Sequence, residues 1–271
     1  MLTDAHCHPF DLALALRNTG HNHIHPYVIA AASACTLEEF LYNENAHNTS
    51  ADNGLSLLPC FGIHPQFPAV KNACGGMVTE TNLNDGITTL HDLAASGRLA
   101  AAGECGFDLY NDTFKETEPM QDLLFAAHLE IAVRFNLPVV VHVRRAMHKI
   151  FAAAKTLAKC KAVVFHSWPG TLEEANSLLR RGVNAYFSFG SIITLNHKQA
   201  MRSCAYLPVE RLLTETDAPF QPRRAEKFSQ FADLPFILEA ASSLRRKAGN
   251  SIASGELETI IEANFRSVFN F

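Results

Sequence analysis

Short, continuous apolar runs recur along the chain, and helical patterns separate most of them. The runs are "MLTDAHC" at 1–7, "YVIAAAS" at 27–33, "LSLLPCFGIH" at 55–64 and "LAAAGECGFD" at 99–108. Four more follow: "PVVVHV" at 138–143, "AVVFHS" at 162–167, "NAYFSF" at 184–189 and "LLTETD" at 212–217. Hydrophobicity that is continuous rather than alternating belongs to strands buried on both faces, as in a parallel sheet. Between them, "PMQDLLFAAHLEIAVRF" at 119–135 repeats apolar residues at three- and four-residue intervals and stops before Pro138, which predicts a helix. "GTLEEANSLLRRG" at 170–182 predicts another, with Thr171 and Glu174 in capping-box spacing and Gly182 at its far end.

Eight strand–helix units in 271 residues is the arithmetic of an α/β fold, a single (β/α)8 barrel of the TIM type. A doubly wound open sheet is the competing architecture, but no Gly-rich phosphate loop follows the first run. The pattern is weak over 11–26 and 65–86, and the second stretch, rich in Pro, Gly and Asn, reads as a long loop. No composition shift marks a boundary, so one domain over 1–271 is expected.

Composition then removes some function classes. A net charge of −4 offers no basic field for gripping long nucleic acid, so a duplex-binding module is disfavoured. Handling a single phosphodiester through metal ions stays open. The seven cysteines (7, 35, 60, 74, 105, 160, 204) form no CxxC pair and read as free thiols in a reducing cytoplasm. With no leader pattern and no 18-residue apolar stretch, the expectation is a soluble cytoplasmic protein without a membrane segment.

The polar residues that interrupt the apolar runs carry the chemistry. In "TDAHCHPF" at 3–10, strand alternation puts His6 and His8 on one side and Cys7 on the other. Further runs end in His64, Glu104, His142, His166 and Asp217. In a (β/α)8 barrel the carboxyl ends of the strands converge on one mouth, so these distant residues would surround one pocket. A single histidine at a strand end is more often a hydrogen-bonded rim residue than a ligand. Glu104 or Asp217 alone would serve as a helix cap. Their joint placement favours two divalent ions bridged by Glu104, with His64 left over for substrate. Imidazole and carboxylate donors suit Zn²⁺, Mn²⁺, Fe²⁺ or Co²⁺ and leave Mg²⁺ possible. Such a pair activates water for hydrolysis, with Asp217 as general base. The alternating histidines of "HNHIHP" (His21, His23, His25) follow no apolar run and read as a solvated loop, while Cys105 faces away from Glu104 and reads as packing.

Six ordered motifs, "DAHCH" (4–8), "GIHP" (62–65), "GECGFD" (103–108), "PVVVHVRRA" (138–146), "FHSWPG" (165–170) and "TETDAP" (214–219), resemble the TatD family of metal-dependent deoxyribonucleases. That family belongs to the amidohydrolase superfamily of (β/α) barrels, and "EANFRSVF" (262–269) is similar to its terminal helix. The resemblance implies His6, His8 and Asp217 at one metal, His142 and His166 at the other, and Glu104 between them. It also implies that His64 and Arg144 contact substrate phosphate, and with the chemistry above it leaves Asp217 and Glu104 as the expected catalytic residues. The expected reaction is cleavage of DNA phosphodiesters at single-strand ends. The chain departs from the family pattern at Pro9 and Phe10, at Met147 and His148, and at "ADLP" (232–235). Two further readings compete: an amidohydrolase-superfamily enzyme acting on a small lactone, cyclic amide or phosphoester, and a metal-binding scaffold without turnover. Many relatives in the first class use a lysine where this chain has Glu104, and a scaffold has no use for Asp217 as a base.

Overall fold

Every apolar run forms a strand. The computed structural model describes residues 1–17, 27–49, 54–70 and 80–271. Its strands are β1 (Leu2–Cys7), β2 (Val28–Ala32), β3 (Leu55–Phe61), β4 (Ala101–Asp108), β5 (Val139–Arg144), β6 (Val163–Phe165), β7 (Ala185–Phe189) and β8 (Leu212–Thr214). They pair in parallel and in sequence order from β1 to β8. The last strand then returns to the first. The Asp217 N–H donates to the His6 carbonyl at 2.9 Å and the His8 N–H to the Ala218 carbonyl at 2.7 Å. Beneath that seam, buried Asp4 accepts from the Thr216 hydroxyl at 2.6 Å and the Thr216 N–H at 3.0 Å. The expected (β/α)8 barrel is borne out.

The helices are α1 (Pro9–Arg17), α2 (Leu37–Thr49), α3 (Glu80–Ala95), α4 (Asp112–Lys115), α5 (Glu118–Arg134) and α6 (Met147–Ala152). After them come α7 (Ala154–Leu157), α8 (Leu172–Arg180), α9 (Lys198–Tyr206), α10 (Leu234–Lys247) and α11 (Ser254–Phe269). The capping box at Thr171 and Glu174 forms in both directions. Among the described residues no helix is long and apolar enough to cross a membrane.

Two layers of core follow from strand alternation. Ile29, Ala31, Leu58, Cys60, Val140, Val164, Tyr186 and Leu213 pack together inside the barrel, with Phe265, Val268 and Phe269 of α11 against them. The opposite set, including Phe61, Phe107, Val141, Phe165 and Phe187, packs outward against the helices. The N-terminal ammonium pairs with Glu258 and Glu262 of α11, so that helix lies across the amino end of the barrel. Asn264 fixes it there by donating to the carbonyls of Val209 and Leu212. Among the described residues, the carboxyl end opens into a cavity.

The structure corrects the expected loop over 65–86, since α3 already begins at Glu80. Leu83, Ile87, Leu90 and Ala94 recur at helical spacing, and Leu83, Leu90 and Ala94 are buried, while Asn84 and Asp85 are exposed on the other side. Likewise α1 occupies the first part of the weak stretch 11–26. Residues 71–79, including Cys74, and His21, His23 and His25 lie outside the described residues. Strand ends also shift. β3 stops at Phe61 and β8 at Thr214, so His64 and Asp217 stand in the loops beyond them, whereas Glu104 lies inside β4.

Glu104 reaches the mouth from mid-strand because the ladder is irregular there. The β4–β5 register shifts between Ala102 and Cys105, and the β1–β2 register shifts between Asp4 and Cys7, around His6. Such irregularities re-aim a side chain. Gly106, at φ +137°, is required by close approach as well: a Cβ there would stand 2.0 Å from the His142 carbonyl oxygen. Gly106→Ala therefore combines backbone strain with overpacking, each typically about 1–3 kcal/mol, for a loss of roughly 2–6 kcal/mol. Denaturant unfolding checks this, and stability within about 0.5 kcal/mol of wild type would contradict it.

Candidate metal centre

Glu104 presents its two oxygens to two different sets of histidines. Oε2 lies 3.2 Å from His6 Nε2 and 3.5 Å from His8 Nε2. Oε1 lies 2.8 Å from His166 Nε2, 2.9 Å from His142 Nδ1 and 3.2 Å from His64 Nε2. Asp217 Oδ1 completes the first set, 3.4 Å from His6 Nε2 and 3.6 Å from His8 Nε2. Residues 6 and 217 in the chain thus meet at one mouth, as strand order requires. Three overlapping groups result: His6–His8–Asp217, His6–Glu104–His166 and His64–Glu104–His142, each with its donor atoms within 4.8 Å of one another.

The outer ring nitrogens show what the inner ones are for. His6 Nδ1 faces the Ser33 hydroxyl at 3.0 Å, and His142 Nε2 faces Asp108 Oδ2 at 3.2 Å. A carboxylate or hydroxyl partner on the outside holds the ring proton there and leaves the inner nitrogen as a lone pair. Yet the inner nitrogens approach each other, His6 Nε2 to His8 Nε2 at 3.1 Å and His142 Nδ1 to His166 Nε2 at 3.1 Å. Lone pairs facing one another and two carboxylates call for cations between them. Ligands roughly 2.0–2.1 Å from one divalent ion stand about 3 Å apart, so the donor set fits metal.

Protons on these rings can take the same place between the donors. Burial works against ionised Glu104, but protonated His64, His166 and His6 and the His142 hydrogen bond hold it well below the usual carboxylate range. Burial likewise opposes the charge on Asp217, which the His6 hydrogen bond and nearby imidazoles bring below its ordinary value. The Gln221 amide donates to Asp217 Oδ2 at 2.7 Å, so Oδ1 is the oxygen free to face the histidines.

The remaining sequence candidates divide cleanly. His64 is the most exposed of the five rings, its side chain 25 % accessible, and with Arg144 it lines a cavity of about 430 Å³ over the cluster. Cys105 is buried among core residues. At the sites of departure, Phe10 packs edge-on against Tyr42 at 5.4 Å. Met147 packs against the core while His148 is exposed. In 232–235, Asp233 caps a helical turn and accepts from Arg223 at 2.6 Å. A larger groove of about 760 Å³ lies outside the barrel between α5 and α6–α7, with no histidine on its walls.

Sequence reasoning missed the supporting residues. Asp108 had a usable signal, because alternation along β4 puts 104, 106 and 108 on one side. Ser33, Glu215 and Gln221 gave none. Glu215 accepts from the Ser167 N–H at 2.6 Å and stands 3.8 Å from His166 Nδ1. Phe220, half exposed, stands edge-on to His8 with ring centres 5.2 Å apart.

A sequence model of TatD related DNases matches residues 3–270. The chain belongs to the TatD-related DNase family. Curated TatD relatives include the 3'-5' ssDNA/RNA exonuclease TatD of Erwinia tasmaniensis, 35% identical over 190 residues, which covers 67% of this chain and 70% of that protein. The uncharacterized metal-dependent hydrolase YcfH of Escherichia coli K12 is 32% identical over 206 residues, 73% of each chain. Among solved structures, the TatD homolog YjjV of Escherichia coli K12 superposes with a TM-score of 0.76 over 100% of this chain and 98% of that one. At 23% identity that likeness speaks for the TatD fold.

Beside the site, one buried histidine positions the loop that carries His64. His128 Nε2 accepts from the Ile63 N–H at 2.9 Å, and its Nδ1–H donates to the Leu124 carbonyl at 2.7 Å. Burial pushes His128 down to about 4. An unfolded histidine titrates near ~6.5, so between those values the unfolded chain binds the proton and the folded one does not. The stability His128 contributes is present above pH ~6.5 and is lost as pH falls towards about 4. NMR titration of the His128 ring should show it neutral throughout the upper part of that window. A midpoint near ~6.5 would contradict the buried, neutral assignment.

Proposed function

We propose that this chain is a divalent-metal-dependent phosphodiesterase of the exonuclease type, acting on single-stranded DNA ends. One observation carries the reading: a single buried carboxylate, Glu104, turns one oxygen to His6 and His8 and the other to His142 and His166. The relatives named as ssDNA/RNA exonucleases support the substrate class. In this reading His6, His8 and Asp217 hold one ion, His142 and His166 hold the second, and Glu104 serves both. Zn²⁺, Mn²⁺ or Mg²⁺ fits these donors. When bound, such ions lower the pKa of water and offset the charge on the phosphate oxygens.

The chain's own groups do the rest. Asp217 uses Oδ1, the oxygen Gln221 leaves free, to accept the proton of the attacking water. His64, the most open of the five rings, donates to a phosphate oxygen, and Arg144 on the cavity wall adds a fixed positive charge. Phe220 offers half its surface beside His8, a face on which a base can stack. Together these groups allow binding without the broad basic surface that a net charge of −4 denies.

Metal-loaded protein should cleave single-stranded oligonucleotides and bis-nitrophenyl phosphate, and complete chelation followed by dialysis should abolish both activities. Turnover that survives chelation, or turnover of lactones with none of any phosphodiester, would overturn the reading. Asp217→Asn should lower kcat by about 10²–10⁴-fold, the usual worth of a general base. Metal occupancy and thermal stability should change far less, because the amide oxygen remains a weak ligand and the residue sits at the mouth. A rate within a few-fold of wild type would remove Asp217 from the role of base.

A further inference from the structure

Two consecutive arginines at the rim stack on one tyrosine. The Arg144 guanidinium lies 3.6 Å from the centre of the Tyr110 ring, and that of Arg145 lies 4.5 Å from it. Consecutive residues leaving a strand ordinarily point to opposite sides. Arg145 escapes that rule because its backbone is left-handed, at φ +55°, and its Nη1 donates to the Tyr110 carbonyl at 3.1 Å. All three side chains remain exposed, Tyr110 by 42%. Left-handed backbone at a non-glycine residue is costly, and it persists where surrounding structure enforces it.

The group is also tied to the metal centre. The Tyr110 N–H donates to Asp108 Oδ1 at 2.9 Å, while the other oxygen of Asp108 faces His142 Nε2 at 3.2 Å. The Leu109 N–H donates to the Arg144 carbonyl at 2.9 Å. Strand register pairs Asp108 with Arg144 and Gly106 with His142, so Arg144 stands two residues, or about 6.6 Å, beyond His142 along β5. That places Arg144 one short step from the cluster, on the wall of the same cavity, with Arg145 beside it on the Tyr110 ring.

We propose that Tyr110, Arg144 and Arg145 form a clamp for the phosphate next to the one being cleaved, a proposal that rests on the phosphodiesterase reading above. The aromatic ring holds both guanidiniums in place before substrate arrives, which lowers the ordering cost of binding. Guanidinium forks match phosphate oxygens and keep their charge at any physiological pH. The clamp makes the protein recognise a chain of phosphodiesters rather than an isolated one, using two charges instead of a basic face.

The test compares a substrate with one phosphodiester, the p-nitrophenyl ester of thymidine monophosphate, with a single-stranded DNA oligonucleotide. Arg145→Gln and Tyr110→Leu should each raise KM for the oligonucleotide about 10-fold, the worth of a charge-assisted contact, with kcat nearly unchanged. KM for the single-phosphodiester substrate should stay at the wild-type value in Arg145→Gln. For Arg145→Gln, the slope of log(kcat/KM) against log salt should flatten by about 0.7, one single-strand phosphate contact. Equal effects on both substrates, no effect on either, or an unchanged salt slope would overturn the clamp. If wild-type protein cleaves neither substrate, the phosphodiesterase reading fails instead. Fluorescence anisotropy with the same labelled oligonucleotide then decides the clamp: a 10-fold loss of affinity in Arg145→Gln supports it, and unaltered affinity refutes it.

Discussion

The whole arrangement depends on the burial of one carboxylate. Glu104 is 4% exposed, and an ionised carboxylate in that position is tolerated only when opposite charge or strong donors surround it. Imidazoles from β1, β5 and the loops after β3 and β6 supply those partners, and the barrel brings them together because its parallel strands all deliver their carboxyl ends to one mouth. The glycines of β4 are part of the same solution. Their lack of side chains lets β5 come close enough for His142 to reach Glu104 at 2.9 Å.

Closure of the barrel and construction of the site are the same event at the β8–β1 seam. The backbone bonds that join His6 and His8 to Asp217 and Ala218 fix three donors of one group relative to each other. Directly beneath, Asp4 is fully buried against Thr216; burial pushes its carboxyl up to about 7, and the Thr216 hydrogen bonds act in the opposite direction. A polar seam between otherwise apolar strands pins the register there, since slippage would leave Asp4 without its partners.

Much of this was legible in the sequence for simple physical reasons. Strands buried on both faces leave uninterrupted apolar runs, so their number and order could be read off directly, and polar residues inside such runs stand out. What periodicity could not resolve was where each strand stops. His64 and Asp217 extend the apolar runs of β3 and β8 in the sequence, but they lie in loops held by contacts from elsewhere, such as His128 to Ile63 and Gln221 to Asp217. The helix at Glu80–Ala95 was obscured by neighbouring Gly, Asn and Pro residues, although its leucine spacing was present. Ser33 and Glu215 act through other side chains, and such partners become visible only in three dimensions. The doubled arginine was visible as letters, but its convergence on Tyr110 required the left-handed turn at Arg145.

The central claim is that Glu104 joins two metal groups into one centre. Calorimetric titration of metal-free protein with Zn²⁺ or Mn²⁺ tests it most directly, in wild type and in Glu104→Gln. The account predicts two ions per chain for wild type, and weakening of both binding steps together in the variant, because each oxygen of the carboxylate faces a different group. A single ion in wild type, or a variant that loses one step and keeps the other at full affinity, would contradict it.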